Sequence, residues 1–256
     1  MGQSLKLTRP VAAAAWLIVV ATLSSCKDKE GPPVPVGSAA SSASETHCPG
    51  GRSVDPPKGE FRPAISAFHD QRYAVAQKLL GNLAEKYPDS ATTRVWLGDA
   101  VLYDEGKEYI AAADEAIRHY ERADELVRAG CKLREAMAYY LRMGLAYAYL
   151  RKDAADVAQE HLKLAVREWP ESAEVHYHSA RVACLRKDHA GCLKHLEHTF
   201  DLAQRRVRPL FLRVHRSLDD WFVRADSQSE FEELRQLKAD EFRALKERYR
   251  ALPVAP

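Results

Sequence analysis

Glycine all but vanishes from the second part of this chain: of 12 glycines, only Gly81, Gly98, Gly106, Gly130, Gly144 and Gly191 lie beyond residue 60. So sparse a set leaves no glycine-rich loop to cradle a phosphate. Also missing are a Gly-x-Ser-x-Gly elbow and a His-Glu-x-x-His pair, the arrangements that expose a nucleophile or hold a catalytic zinc. The acid pairs that do occur, Asp219-Asp220 and Glu232-Glu233, are adjacent, which points their side chains apart on a helix. No catalytic residues and no cofactor are therefore expected. Alternating apolar and polar stretches, the mark of half-buried strands, are likewise lacking. Long hydrophobic runs are scarce too, since the apolar stretch from Val11 to Leu23 falls short of the roughly 20 residues a membrane-spanning helix needs.

Charge of one sign is also missing. The whole chain carries 38 Lys and Arg against 36 Asp and Glu. A balanced surface has no general attraction to nucleic acid. The local exception is Arg205, Arg206, Arg208, Arg213 and Arg216 around Pro209. That group could meet lipid phosphates or an acidic partner, or form a solvated face broken up by Leu210, Phe211 and Leu212.

What is present begins with order at the N-terminus. Lys6 and Arg9 precede the apolar run, and Leu23-Ser24-Ser25-Cys26 closes it. Basic start, short apolar core and small residues make an export signal. The alternatives are an uncleaved span, for which the run is too short, and a cytoplasmic chain in which Cys26 is an ordinary thiol. Cysteine in this position resembles the lipobox of bacterial lipoproteins. The resemblance implies cleavage of residues 1–25, lipidation of Cys26, and attachment to a bacterial membrane outside the cytoplasm. Lys27 after the cysteine implies the outer membrane. Loss of the signal removes two cations and no acid, leaving 36 of each sign. From 26 to about 60 the chain is rich in Pro, Ser, Ala and Gly, as in Gly31-Pro32-Pro33-Val34-Pro35. Such composition cannot bury enough apolar surface to offset its ordering entropy, so a flexible tether is expected.

Beyond that point amphipathic helical patterns alternate with short breaks. One motif recurs: Ala76-x3-Leu80-x2-Leu83, Ala116-x3-Tyr120-x2-Ala123, Ala158-x3-Leu162-x2-Ala165 and Cys192-x3-Leu196-x2-Thr199. Steps of four and three put each set on one helical stripe. A small residue on a preceding helix, Gly98, Gly144 or Ala180, marks where a partner approaches, and Pro88 and Pro170 punctuate the first and third motifs. These residues resemble the tetratricopeptide repeat, a helix-turn-helix unit of 34 residues. The Ala158 to Cys192 interval matches that length, while Ala76 to Ala116 and Ala116 to Ala158 are longer by 6 and 8. The extra residues are expected in turns near 103–108 and 128–132. Four units follow, near 57–90, 91–130, 133–172 and 173–206, the first weakened by Pro57 and Pro63. Residues 207–256 are expected to form a helical cap with Ser227-x-x-Glu230 as a capping box. The fold expected is all-α, an α-solenoid with a C-terminal capping helix; the alternative is a generic helical bundle.

The repeat family implies a groove lined by the first helix of each unit. Carried over residue by residue, it comprises Asp99, Leu102 and Tyr103, then Leu141, Leu145 and Tyr149, then Tyr177 and Arg181. The tyrosines could equally pack between units. The expected partner is another envelope protein or a peptide, in outline like the repeat lipoproteins that help assemble outer-membrane barrels or pilus secretins.

Four cysteines remain beyond Cys26. Cys184 and Cys192 fall on the two helices of the fourth unit, close to their turn, and form either a disulfide or two buried thiols. Their spacing is similar to the bridged hairpins of Sel1-like repeats. Cys48 and Cys131 could pair with each other, stay free, or bond between molecules. His176, His178, His189, His195 and His198 cluster near the same unit, which offers a second function, redox or metal handling. Helical rotation turns Cys192, His195 and His198 progressively apart, so no metal site is expected.

Overall fold

The computed structural model describes Cys48 and residues 54–207 and 216–251. The export signal, Cys26, most of the tether, and Arg208 and Arg213 lie outside the described residues. Among the described residues the chain is all helical, in the order α1 (Lys58–His69), α2 (Tyr73–Lys86), α3 (Ala91–Leu102), α4 (Tyr109–Arg128), α5 (Glu135–Arg151), α6 (Ala155–Glu168), α7 (Ala173–Leu185), α8 (His189–Gln204), α9 (Leu218–Ser227), a 3-10 turn (Ser229–Phe231), α10 (Glu232–Leu237) and α11 (Ala239–Ala251). No helix among them is long and apolar enough to cross a membrane.

Short turns fold the first eight helices into four hairpins. Three of these turns are copies of one another. Gln71, Asp153 and Lys187 each take a left-handed conformation, with φ of 60°, 57° and 62°. Each is followed by a residue whose N–H reaches back to the preceding helix: Arg72 to Ala67, Ala154 to Tyr149 and Asp188 to Ala183, all at 2.9 Å. Such a left-handed residue satisfies carbonyls that a helix end would otherwise leave bare. The connections between hairpins repeat as well. In Tyr87-Pro88-Asp89-Ser90 and Trp169-Pro170-Glu171-Ser172 the serine N–H donates to the aromatic carbonyl at 3.1 Å. The serine side chain then caps the next helix, accepting from Thr93 N–H and Val175 N–H. Proline after the helix end cannot continue it, and serine opens the next one.

The small-and-large stripes face inward. Ala76, Leu80, Ala116, Tyr120, Ala123, Ala158, Leu162, Ala165, Cys192 and Leu196 are all buried. Their burial forms three cores in series. One joins α1 to α4 and one face of α5, a second joins α5, α6 and one face of α7, and a third joins α7, α8 and the C-terminal helices. Each helix packs on its sequence neighbours, and α5 additionally touches α3 and α7. Among the described residues this serial packing of helices on their neighbours is consistent with a helical repeat solenoid.

Two expectations need correction. The additional length of the second and third hairpins enters helices as well as turns, since α4 has 20 residues and α5 has 17 against 12 in α3. Helix extension keeps added residues hydrogen-bonded, which a longer loop cannot. The C-terminal part, moreover, is not one helix capped at Ser227. Ser217 and Asp220 form the capping box, of α9, and Ser227 ends that helix. Glu230 is drawn away to a cation on α7, described below, and the chain breaks again at Lys238 before α11.

Cysteines close two covalent links. Cys184 bonds Cys192 across the α7–α8 turn, and Cys48 bonds Cys131 after α4, each with a Cα–Cα separation of 5.3 Å, inside the range that disulfide geometry permits.

Candidate functional site

A cavity of about 500 Å³ opens where α3, α5 and α7 lie side by side and the stretch from Arg216 to Glu230 folds back over them. Two helices supply it through the same periodicity. Tyr140, Met143, Gly144 and Tyr147 come from α5, and Glu174, Tyr177, His178 and Arg181 from α7. Residues at i, i+3, i+4 and i+7 share one helical face. Asp99 borders it from α3, Tyr103 from the residue that caps that helix, and Tyr109 from the start of α4.

The residues carried over from the repeat family are divided by the structure. Asp99, Tyr103, Tyr177 and Arg181 are brought together around the cavity. Leu102, Leu141 and Leu145 are buried in the first core instead. Tyr149 points elsewhere, stacked on His161 with its hydroxyl donating to Glu121 Oε1 at 2.8 Å. On α5 the cavity face is thus rotated to Tyr140, Gly144 and Tyr147. Helix α5 is apolar around nearly its whole circumference, so its periodicity names no single face. The contribution of residues 216–230 has no local signal at all, because it arises from a contact 49 residues apart.

That contact is an ion pair. Arg181 Nε donates to Glu230 Oε1 at 3.0 Å, and a second guanidinium nitrogen reaches the same oxygen. Arg181 also faces His178 Nδ1 at 3.1 Å. An arginine nitrogen can only donate, so that imidazole nitrogen accepts and the proton sits on Nε2, 3.8 Å from Glu174 Oε1. Burial and the neighbouring Arg181 keep His178 below its ordinary pKa, although Glu174 pulls the other way. For Glu174, burial acts to raise the carboxyl, but His178, Arg216 and Arg224 outweigh it and hold the group below its usual range. Asp99 behaves oppositely: burial raises it to about 7, despite the hydrogen bond it accepts from the Tyr120 hydroxyl at 2.6 Å.

Aromatic rings connect the cavity to the first hairpins. Tyr73 lies 6.3 Å from Tyr103, Tyr103 lies 6.5 Å from Tyr147, and Tyr147 lies 5.7 Å from His178. The Arg151 guanidinium sits over both Tyr109 and Tyr147, at 4.5 and 4.9 Å from the ring centroids. Tyr103 and Tyr109 remain about half exposed.

The histidine cluster assembles only in part. His176 Nε2 donates to the Pro170 carbonyl at 2.8 Å, which leaves its Nδ1 to accept from His195 Nδ1 at 3.3 Å. His198 approaches the same ring, with centroids 5.0 Å apart. The sulfur of Cys192 is taken by Cys184, and among the described residues no three potential ligands converge on a metal position. Of the arginine group, Arg205 pairs with Asp201 at 2.8 Å, while Arg216 borders the cavity.

The chain matches no protein-family model and no curated protein.

Proposed function

We propose that this chain is a lipid-anchored scaffold of the bacterial cell envelope, built of tetratricopeptide-type hairpins, that holds another envelope protein or peptide against the aromatic row. It acts by binding, without catalysis, cofactor or nucleic acid. The export signal ending at Cys26 supports the compartment, and the lipobox resemblance supports the anchor at the outer membrane. Disulfides at Cys48–Cys131 and Cys184–Cys192 suit an oxidising environment. Identical turns at Gln71, Asp153 and Lys187 support the repeat reading.

The observation that carries the binding role is the row Tyr73–Tyr103–Tyr147 with Arg151 beside it. Tyrosine and arginine dominate interface energetics because each joins a large apolar area to a polar end. Rings held by their neighbours lose little further freedom on binding.

Photocrosslinking in intact cells tests this. A crosslinking residue at Tyr103 or Tyr109 is expected to yield an adduct of discrete mass. The same residue at Val157, comparably exposed on α6, is expected to yield none. Equal adducts at all three positions, or none at Tyr103 and Tyr109, would refute the reading. Cys26→Ser is expected to move the protein from the membrane to the soluble fraction.

A further inference from the structure

We propose that the cavity between α5, α7 and residues 216–230 is a binding site for a small molecule that carries one six-membered ring and one carboxylate. The inference goes beyond the partner-binding role, because it concerns the end of the aromatic row at Tyr147, under residues 216–230, and needs no second protein.

The cover over α7 comes first. The Arg181–Glu230 pair, together with the Tyr177–Trp221 and Tyr177–Phe231 ring contacts at 4.8 and 5.6 Å, fastens the C-terminal segment over α7. The remaining space of about 500 Å³ falls among pockets that take small molecules.

Unsatisfied donors come second. The Tyr177 side chain is fully buried, yet its hydroxyl has no hydrogen-bond partner. Tyr177 itself borders the cavity, together with Arg181, Arg216, Arg224 and Glu230. Arg216 Nε is also buried without a partner. A buried donor left unpaired costs about 1–3 kcal/mol, so an acceptor placed among these groups is favoured. Arg181 is already committed to Glu230. Arg224 stacks over Tyr177 and Trp221, and among the described residues neither Arg224 nor Arg216 forms an ion pair.

Charge and shape then define the ligand. Three arginines, 181, 216 and 224, face the acids Glu174, Glu230 and Asp99; burial keeps Asp99 protonated below about pH 7, so below that pH one positive charge is left to balance. The anion that best fits a planar guanidinium is a carboxylate, which accepts from two of its N–H groups at once. Tyr140 and Tyr147 of α5 also line the space, and aromatic side chains suit contact with an aromatic ring or the C–H face of a sugar. An aromatic carboxylate and a sugar acid share this chemistry.

Calorimetric titration of the intact mature protein distinguishes the two sources. The probes are 4-hydroxybenzoate and glucuronate, with the uncharged 4-hydroxybenzyl alcohol and glucose as their counterparts. One acid is expected to bind while its neutral counterpart does not, and whichever acid binds identifies the source. Arg224→Gln is expected to weaken binding by about tenfold or more. Tyr177→Phe is expected to weaken it several-fold while the melting temperature of the free protein stays level or rises, since the substitution deletes an unsatisfied hydroxyl. A purely structural role for Tyr177 would lower the melting temperature instead. No binding of either acid at millimolar concentration, equal binding of the neutral compounds, or full affinity in Tyr177→Phe overturns the proposal. Because no partner protein is added, none of these results bears on the adaptor role.

Discussion

Tyr120 shows how much one side chain can demand of its neighbours. Its fully buried ring occupies the space that Gly98 on α3 and Gly144 on α5 leave open. A Cβ at either glycine would come closer than 3.0 Å to ring atoms. The ring is held in place by the bond its hydroxyl donates to the buried Asp99. Gly144→Ala is therefore expected to lower stability by about 1–3 kcal/mol through overpacking, although alanine is the better helix former. Gly81 is the internal control. It lies mid-way along α2 with nothing within 4 Å of its would-be Cβ, so Gly81→Ala is expected to raise stability by about 0.5–1 kcal/mol. Urea midpoints moving in opposite directions for the two alanines are the expected result. A shared direction contradicts the wedge.

For whole elements, the two cysteine links close chain loops of very different length. Cys184–Cys192 closes 8 residues around one turn, whereas Cys48–Cys131 closes 83, joining the segment before α1 to the loop after α4. On the chain-entropy model these contribute about 2.5 and 4.5 kcal/mol respectively, because the longer loop restricts the unfolded chain more. The paired alanine substitutions, compared by denaturation under oxidising conditions, are expected to follow that order. An equal or reversed order would mean that loop entropy does not govern the difference. The same scale accounts for Glu230, whose place in the sequence suggests a cap and whose carboxylate instead pairs with Arg181.

In the molecule as a whole, buried titratable groups set how stability responds to pH. His119 and His195 are lowered to about 4, first by burial and then by neighbouring cations or imidazoles. An imidazole kept neutral in the fold protonates more readily once unfolded, so its contribution is lost as pH falls from the unfolded value near 6.5 towards 4. Asp99, raised to about 7, has the opposite sign. Its contribution is complete below the unfolded value near 4 and is lost as pH rises towards 7. With two histidines against one aspartate, stability is expected to increase from pH 4 to 6.5. Asp99→Asn should steepen that rise and His195→Gln should flatten it. Unfolding free energies measured across the interval check both, and unchanged slopes count against the assigned burial of these groups.

Short-range pattern alone determined the first eight helices and their grouping into hairpins, though not the full length of α4 and α5 nor the breaks after residue 216. The stripe through Ala76 and Leu80, its copies at Ala116, Ala158 and Cys192, and the prolines at 88 and 170 mark hairpins because helix period, turn chemistry and capping act over a few residues. The mutual approach of Cys184 and Cys192 was legible on the same grounds. The cavity was not. Helix α5 is apolar on several sides, so only its neighbours decide that Tyr140 and Tyr147 face the space while Leu141 and Leu145 enter the core. Residues 216–230 reach α7 through the Arg181–Glu230 pair and the Tyr177 ring contacts. Contacts between groups that distant depend on how every intervening hairpin stacks, and only the folded chain sums those steps.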